Sequence, residues 1–130
     1  MTQEELTKAV TDMLRARHAE KTKGTKFDEG KAPMELLSHH ALVEIAHVFG
    51  AGAVKYGRFN YRAGMDWGRV IGAAYRHLGA FNSGEDLDPE TGRSHLAHLG
   101  ACCIMLLDYH RTGVGKDDRH KLEVVDKKLV

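Results

Sequence analysis

The chain has 130 residues, of which 42% are hydrophobic, and a formal net charge of +1; this suits a single domain with one apolar core. The balanced charge provides no broad basic face for a nucleic acid polymer, and no run reaches the ~18 apolar residues of a membrane span. The acidic start is unlike a signal peptide, and the adjacent Cys102 and Cys103 suit free thiols in a reducing compartment. We therefore expect a cytoplasmic protein that binds neither membranes nor nucleic acid polymers.

Apolar residues at helical spacing predict four helices in chain order. The first has a capping box formed by Thr2 and Glu5, and the others are preceded by the capping residues Ser38, Asp66 and Ser94. The predicted helices span residues 3–20, about 39–54, about 67–82 and about 95–111. Because no stretch alternates with a period of two, the fold class is all-α, with the four helices forming one core.

The fourth predicted helix is apolar nearly all round from Leu99 to Leu107. Such a helix lies at the centre of a domain or at a subunit interface. A 14.4 kDa chain would gain stability by burying it between subunits, which predicts a dimer or a tetramer. The charged tail, residues 112–130, is predicted to end in a short helix that contains Leu122, Val125 and Leu129.

An acidic loop separates the third and fourth helices. It carries Glu85, Asp86, Asp88 and Glu90 between glycines at 84 and 92. Carboxylates this close repel one another unless a cation lies among them, and Mg²⁺ and Mn²⁺ prefer such ligands. We predict Glu85 and Asp88 as catalytic metal ligands. Asp86 is equally compatible with a surface position, and Glu90 with a role in supporting the turn.

Two histidines, His95 and His98, share one face in the first turn of the fourth helix. A zinc site is a weak interpretation, because no further ligands follow at a zinc spacing. We predict His95 as a metal ligand and His98 as a residue that contacts substrate. His98 and His77 are as compatible with core histidines that bond to a neighbouring helix.

Glu44 is the one acid in the apolar stretch of the second helix, with His40 and His47 on the same face. A half-buried carboxylate there serves as a metal ligand or general base, or as a boundary acid paired with a histidine. Together with the acidic loop, the position favours a third metal ligand.

Two loops offer groups that suit a nucleotide. The first, Lys26 to Lys31, has lysines for phosphate oxygens but lacks the spacing of a P-loop. The second, Lys55 to Tyr61, offers cations, aromatic faces and an amide. We predict Lys31 and Lys55 as contacts for the phosphates, and Asn60 and Tyr61 as contacts for the base or sugar.

These segments together resemble one protein family, the phage-associated dATP/dGTP diphosphohydrolase domain. The resemblance spans about residues 26–109, and its motifs are loose one by one but fairly specific in their order. They are Lys26-Phe-Asp-Glu-Gly-Lys31, Leu36-Leu37, Ala41-Leu42, Glu44, Gly52-Ala53, Lys55-Tyr56-Gly57, Asn60, Arg76-His77-Leu78, Gly84-Glu85-Asp86, Asp88, Glu90, Gly92 and His95-Leu-Ala-His98.

The resemblance implies an all-α pyrophosphatase related to MazG, usually oligomeric, which uses two or more Mg²⁺ or Mn²⁺ ions. Such an enzyme cleaves a purine deoxynucleoside triphosphate, with dGTP favoured, to the monophosphate and pyrophosphate. The dGMP would supply 2-aminoadenine nucleotide synthesis in a phage. MazG enzymes carry metal acids as Glu-x-x-Glu and Glu-x-x-Asp, whereas this chain has Glu44 alone and His95-x-x-His98. The metal set is therefore rearranged.

Two rival functions accompany this hypothesis. A sensor module with the same helices would bind a nucleotide or metal without turnover. An HD-type phosphohydrolase also acts on deoxynucleotides with a metal, but it needs an adjacent His-Asp pair, which the sequence lacks. The sequence therefore favours metal-dependent hydrolysis of a nucleotide.

Overall fold

A computed structural model describes residues 1–19 and 24–122 of the chain. It confirms the all-α prediction, because the described residues form helices and no strand beyond two isolated bridges, Asp66 with Lys116 and Leu87 with Ser94. The helices are α1 (Gln3–Ala19), α2 (His39–Tyr56), α3 (Trp67–Asn82) and α4 (His95–Thr112), with short 3₁₀ helices at Met34–Leu36 and Asn60–Ala63. In this part of the chain, no helix is long and apolar enough to cross a membrane.

Three of the four predicted helix caps are confirmed. Thr2 and Glu5 form the reciprocal capping box, with N···O distances of 2.7 and 3.1 Å. The hydroxyl oxygen of Ser38 accepts a hydrogen bond from the Ala41 N–H, and that of Ser94 accepts one from the Leu96 N–H. These bonds satisfy backbone donors that the first turn of a helix leaves free.

The predicted side-chain cap from Asp66 is wrong. Asp66 occupies the N-cap position of α3, but its carboxylate forms no capping bond. The carboxylate of Asp118 takes this place and accepts the Gly68 N–H at 2.7 Å. A segment 50 residues further along the chain therefore completes the first turn of α3.

The described residues belong to two compact units, Met1–Leu36 and Leu37–Val130. In the first unit, α1 is joined to the following loop through Arg15, whose guanidinium lies 4.8 Å from the centre of the Phe27 ring and 3.4 Å from the Glu29 carboxylate. The second unit contains α2, α3 and α4. The prediction of one domain over residues 1–130 stays a prediction.

In the second unit, α4 is central, since it packs against both α3 and α2. Its most buried side chain is Tyr109, 1% exposed, which lies in a core with Trp67, Val70 and Cys102. The Tyr109 hydroxyl donates to the Tyr61 carbonyl oxygen at 2.6 Å, and the Trp67 indole N–H donates to the Val114 carbonyl oxygen at 2.9 Å. Of the two positions predicted for this helix, the structure shows the central one within the second unit, and the subunit interface stays a prediction.

Gly100 lies at the contact between α2 and α4, where Ile45 of α2 packs closely against it. A Cβ atom on Gly100 would lie only 2.7 Å from the Ile45 Cδ1 atom, so a larger residue would force the Ile45 side chain to move. No residue of α2 is buried in spite of its apolar sequence. Of the predicted C-terminal helix, Leu122 is exposed and non-helical, while Val125 and Leu129 lie outside the described residues.

Candidate metal centre

Three side chains from two helices and the acidic loop converge in the second unit. His77 comes from α3, Asp88 from the loop, and His95 from the start of α4; one donor atom of each lies within 4.8 Å of the others. The Nδ1 atoms of His77 and His95 are 2.9 Å apart, and His77 Nδ1 is 3.9 Å from Asp88 Oδ2. Among the described residues, these three form the one group of His, Cys, Asp or Glu side chains that lie close enough to share a metal ion.

Backbone hydrogen bonds fold the acidic loop onto the ends of α3 and α4. The Glu85 N–H donates to the Ala80 carbonyl oxygen at 3.0 Å, which holds the start of the loop to α3. The His95 N–H donates to the Asp86 carbonyl oxygen at 3.0 Å, which holds the loop to the start of α4. The Asp88 N–H donates to the Arg93 carbonyl oxygen at 2.8 Å. These bonds carry Asp88 to the two histidines.

The Asp88 carboxylate has one oxygen engaged and one directed at the cluster. Its Oδ1 atom accepts the backbone N–H groups of Glu90 and Thr91, at 2.8 and 3.1 Å, whereas Oδ2 is the atom closest to His77. Partial burial alone would raise the pKa of Asp88, but the N–H groups of Thr91 and Glu90 and the nearby imidazoles lower it overall. Asp88 is therefore a charged carboxylate held in place by its own turn.

His95 is oriented by Glu85. The residue is 4% exposed as a whole, and its imidazole Nε2 atom lies 2.6 Å from Glu85 Oε1. Because an ionised carboxylate only accepts hydrogen bonds, this contact places the proton on Nε2 and leaves the Nδ1 lone pair directed at His77 and Asp88. Glu85, which the sequence predicts as a ligand, thus contacts a member of the cluster in this structure.

His98 supports the cluster from one side. Its ring stacks on that of His77, with centroids 4.4 Å apart and planes 12° apart, and its Nε2 atom lies 2.7 Å from the Thr91 hydroxyl. Burial lowers the pKa of His77 and of His98, and neighbouring histidines lower both further. Their neutral form is favoured, as metal ligation by an imidazole requires.

The donors present fit a divalent metal ion. Two neutral imidazole nitrogens and one carboxylate oxygen form a common set of three protein ligands. The carboxylate bonded to the far nitrogen of a ligand imidazole is the usual second layer around such a site. His77, Asp88 and His95 would hold the ion, with positions left for water or substrate.

Glu44 lies on α2 outside this group. It is half-buried, and with the described residues it forms neither a hydrogen bond nor an ion pair. Its neighbour Ile45 packs at Gly100, five positions after His95 on α4. The predicted metal-binding role of Glu44 stays a prediction.

The two predicted phosphate contacts lie in different units. Lys55, near the end of α2, is 2.7 Å from Glu90 Oε1, and Glu90 and Tyr56 raise its pKa. Lys55 therefore lies beside the acidic loop, next to Glu90, which is two positions from Asp88 in the sequence. Lys31 lines a cavity of about 470 Å³ between α1 and the 28–31 loop of the first unit. Both predicted roles stay predictions.

Asn60 and Tyr61 lie in the short helix at Asn60–Ala63. The Tyr61 ring contacts the rings of Phe49 and Tyr109, with centroids 5.5 and 6.3 Å away, and its hydroxyl donates to Asp108 at 2.9 Å. Asp108 follows His95 on α4 at a helical rise of ~20 Å, so the predicted base contact is far from the metal cluster along that helix. The predicted roles of both residues stay predictions.

His77 is the ligand candidate that the sequence left open. It stands alone in α3, without a second ligand at helical spacing, so only the packing of α3 on α4 brings it to His95. The available signal was a histidine near the end of each helix that flanks the acidic loop.

The sequence is similar to one known family of phage enzymes. The family model described as "dATP/dGTP diphosphohydrolase, N-terminal" matches residues 21–119. A curated protein of Salmonella phage PMBT28, named dATP/dGTP diphosphohydrolase, is 35% identical over 96 residues, which cover 74% of this chain and 33% of that protein. The chain thus spans about a third of the length of this relative. No solved structure matches the chain.

Proposed function

The chain belongs to the dATP/dGTP diphosphohydrolase family, and on that premise we propose that it hydrolyses a purine deoxynucleoside triphosphate, with dGTP preferred, to the monophosphate and pyrophosphate. The observation that carries this proposal is the convergence of His77, Asp88 and His95. A chain of this family would need such a group to activate water and to bind phosphates. The dGMP released would supply 2-aminoadenine nucleotide synthesis in the cytoplasm of a phage-infected cell.

The reaction requires charge neutralisation and an activated water molecule. A divalent metal ion supplies both, because it binds phosphate oxygens and lowers the pKa of its bound water; we propose Mg²⁺ or Mn²⁺, with two or more ions. His77, Asp88 and His95 hold one ion. Lys55 exchanges its ion pair with Glu90 for one with the phosphate oxygens of the substrate. His98, which stacks on His77, contacts the substrate.

The test is a product analysis. We expect purified protein with Mn²⁺ to convert dGTP directly to dGMP and pyrophosphate, as resolved by ion-exchange chromatography, with slower turnover of dATP and of ribonucleotides. Orthophosphate appearing first, while a diphosphate accumulates, would contradict cleavage at the α-phosphate. Tight nucleotide binding without turnover would favour the sensor function.

We also propose that a second copy of the chain covers the exposed apolar side chains of the second unit. On α4, Leu96 and Leu107 are 45% and 68% exposed, and on α2 Val54 is 91% exposed. The sequence of α2 is apolar and yet none of its residues is buried, and a contiguous apolar surface of this kind would mark an interaction site. We expect light scattering at micromolar concentration to give the mass of a dimer or tetramer, and Leu107→Glu to shift it towards the monomer. A monomeric wild type would overturn the proposal.

A further inference from the structure

We propose that the centre formed by His77, Asp88 and His95 selects a first-row transition metal over Mg²⁺, and that Glu85 is a positioning residue for His95 and not a ligand. This inference rests on the proposed metal site. At this one centre it replaces the general choice of Mg²⁺ or Mn²⁺ by ions from Mn²⁺ to Zn²⁺. It also assigns a separate role to Glu85, which the sequence groups with the ligands.

The types of donor atom in the cluster favour a transition metal over Mg²⁺. Mg²⁺ is a hard cation that takes oxygen ligands and retains its waters, whereas imidazole nitrogen suits zinc, iron and similar ions. Two of the three converging groups here are imidazoles. A site for Mg²⁺ would gather carboxylates, yet Glu85, Asp86 and Glu90 of the same loop are outside the group.

The spacing also suits such an ion. Donor atoms about 2.0–2.1 Å from a zinc ion lie about 2.9 Å apart at octahedral angles and about 3.3 Å apart at tetrahedral angles. The separations from His77 Nδ1 are 2.9 Å to His95 Nδ1 and 3.9 Å to Asp88 Oδ2. All three donor atoms lie within 4.8 Å of one another, so an ion would draw them together by up to about 2 Å.

The contact between Glu85 and His95 is that of a carboxylate fixing a ligand imidazole. The Glu85 side chain is 54% exposed while that of His95 is 5% exposed, so the carboxylate caps the buried ring from the solvent side. Its bond to Nε2 sets the tautomer that presents the Nδ1 lone pair to the ion. To become a ligand, Glu85 would have to release this bond and leave His95 Nε2 unpaired in a buried position.

The competing explanation is a purely structural histidine cluster. In that case a proton on one Nδ1 atom links His77 to His95, and Glu85 only stabilises the fold. This arrangement would bind no ion, so the two explanations differ in a measurement that does not involve hydrolysis.

The experiment is a titration of metal-free protein with Co²⁺, followed by visible absorption. We expect one Co²⁺ per chain with a d–d band, displaced by Zn²⁺ but not by a large excess of Mg²⁺. X-ray absorption of the zinc-loaded wild type should show two imidazole ligands, and this readout needs no variant. Absence of Co²⁺ binding, or displacement by Mg²⁺ as readily as by Zn²⁺, would overturn the metal assignment.

Glu85→Gln tests the positioning role, with Asp86→Asn as the matched control from the same loop. Glu85→Gln should weaken Co²⁺ binding about 10–100-fold with the shape of the band retained, whereas Asp86→Asn should leave the affinity unchanged. A changed band in Glu85→Gln would make Glu85 a ligand, and an unchanged affinity would remove its role. Because these readouts report binding, a protein that binds Co²⁺ but hydrolyses no nucleotide would refute the proposed function alone.

Discussion

Replacing Asp88 by Asn is expected to lower the turnover of dGTP at least ~100-fold, a loss of about 2.7 kcal/mol in transition-state stabilisation. The amide oxygen of Asn can still accept the N–H groups of Glu90 and Thr91, which the Oδ1 atom of Asp88 accepts now. The other position then carries an NH₂ group, which cannot ligate a metal. The turn is kept while the charge at the site is lost.

Steady-state kinetics with dGTP and thermal unfolding of the same preparation check this prediction. Asp86→Asn is the control, because Asp86 is an exposed acid of the same loop and contributes only its backbone carbonyl to the site. It should retain wild-type turnover. Equal losses in both variants would show that the loop needs its total negative charge and that Asp88 has no special place in it.

Local features of the sequence were enough to predict the helices. Capping residues and apolar spacing act within one or two turns, so Ser38 and Ser94 mark the beginnings of α2 and α4 as predicted. At Asp66 the same local rule failed, because Asp118 from a distant part of the chain provides the bond to the first turn of α3. A cap supplied by tertiary structure leaves no signal at the helix itself.

The candidate site also combines residues that local sequence patterns predict with one that only the tertiary structure brings in. Asp88 and His95 are only seven positions apart in the chain, and their local pattern of a turn followed by a capped helix predicted them together. His77 joins them through the packing of α3 against α4, which no spacing in the sequence encodes. The different roles of Glu85 and Asp88 depend on which neighbour each carboxylate faces, and adjacent acids in one loop look alike in a sequence.

The second substitution expected to cause a large loss of dGTP turnover is at Glu44. We expect Glu44→Gln to lower dGTP turnover at least ~100-fold, while Co²⁺ binding at His77, Asp88 and His95 stays as in the wild type. Glu44 is a half-buried carboxylate on α2 without a partner among the described residues, and such a charge costs free energy unless a cation joins it. A second catalytic ion bound with the nucleotide would supply that cation.

The melting temperature separates this role from a structural one. Gln keeps the shape of Glu44 and removes the charge, so the metal-free variant should be as stable as the wild type or more stable. Glu35→Gln, at an exposed acid in the 3₁₀ helix Met34–Leu36, is the matched control and should change neither turnover nor melting. A Glu44→Gln variant that melts several degrees lower with intact specific activity would make Glu44 a structural boundary acid. A second ion would then need ligands other than Glu44. The acidic loop, which His98 and Lys55 contact through Thr91 and Glu90, is the place to look for them.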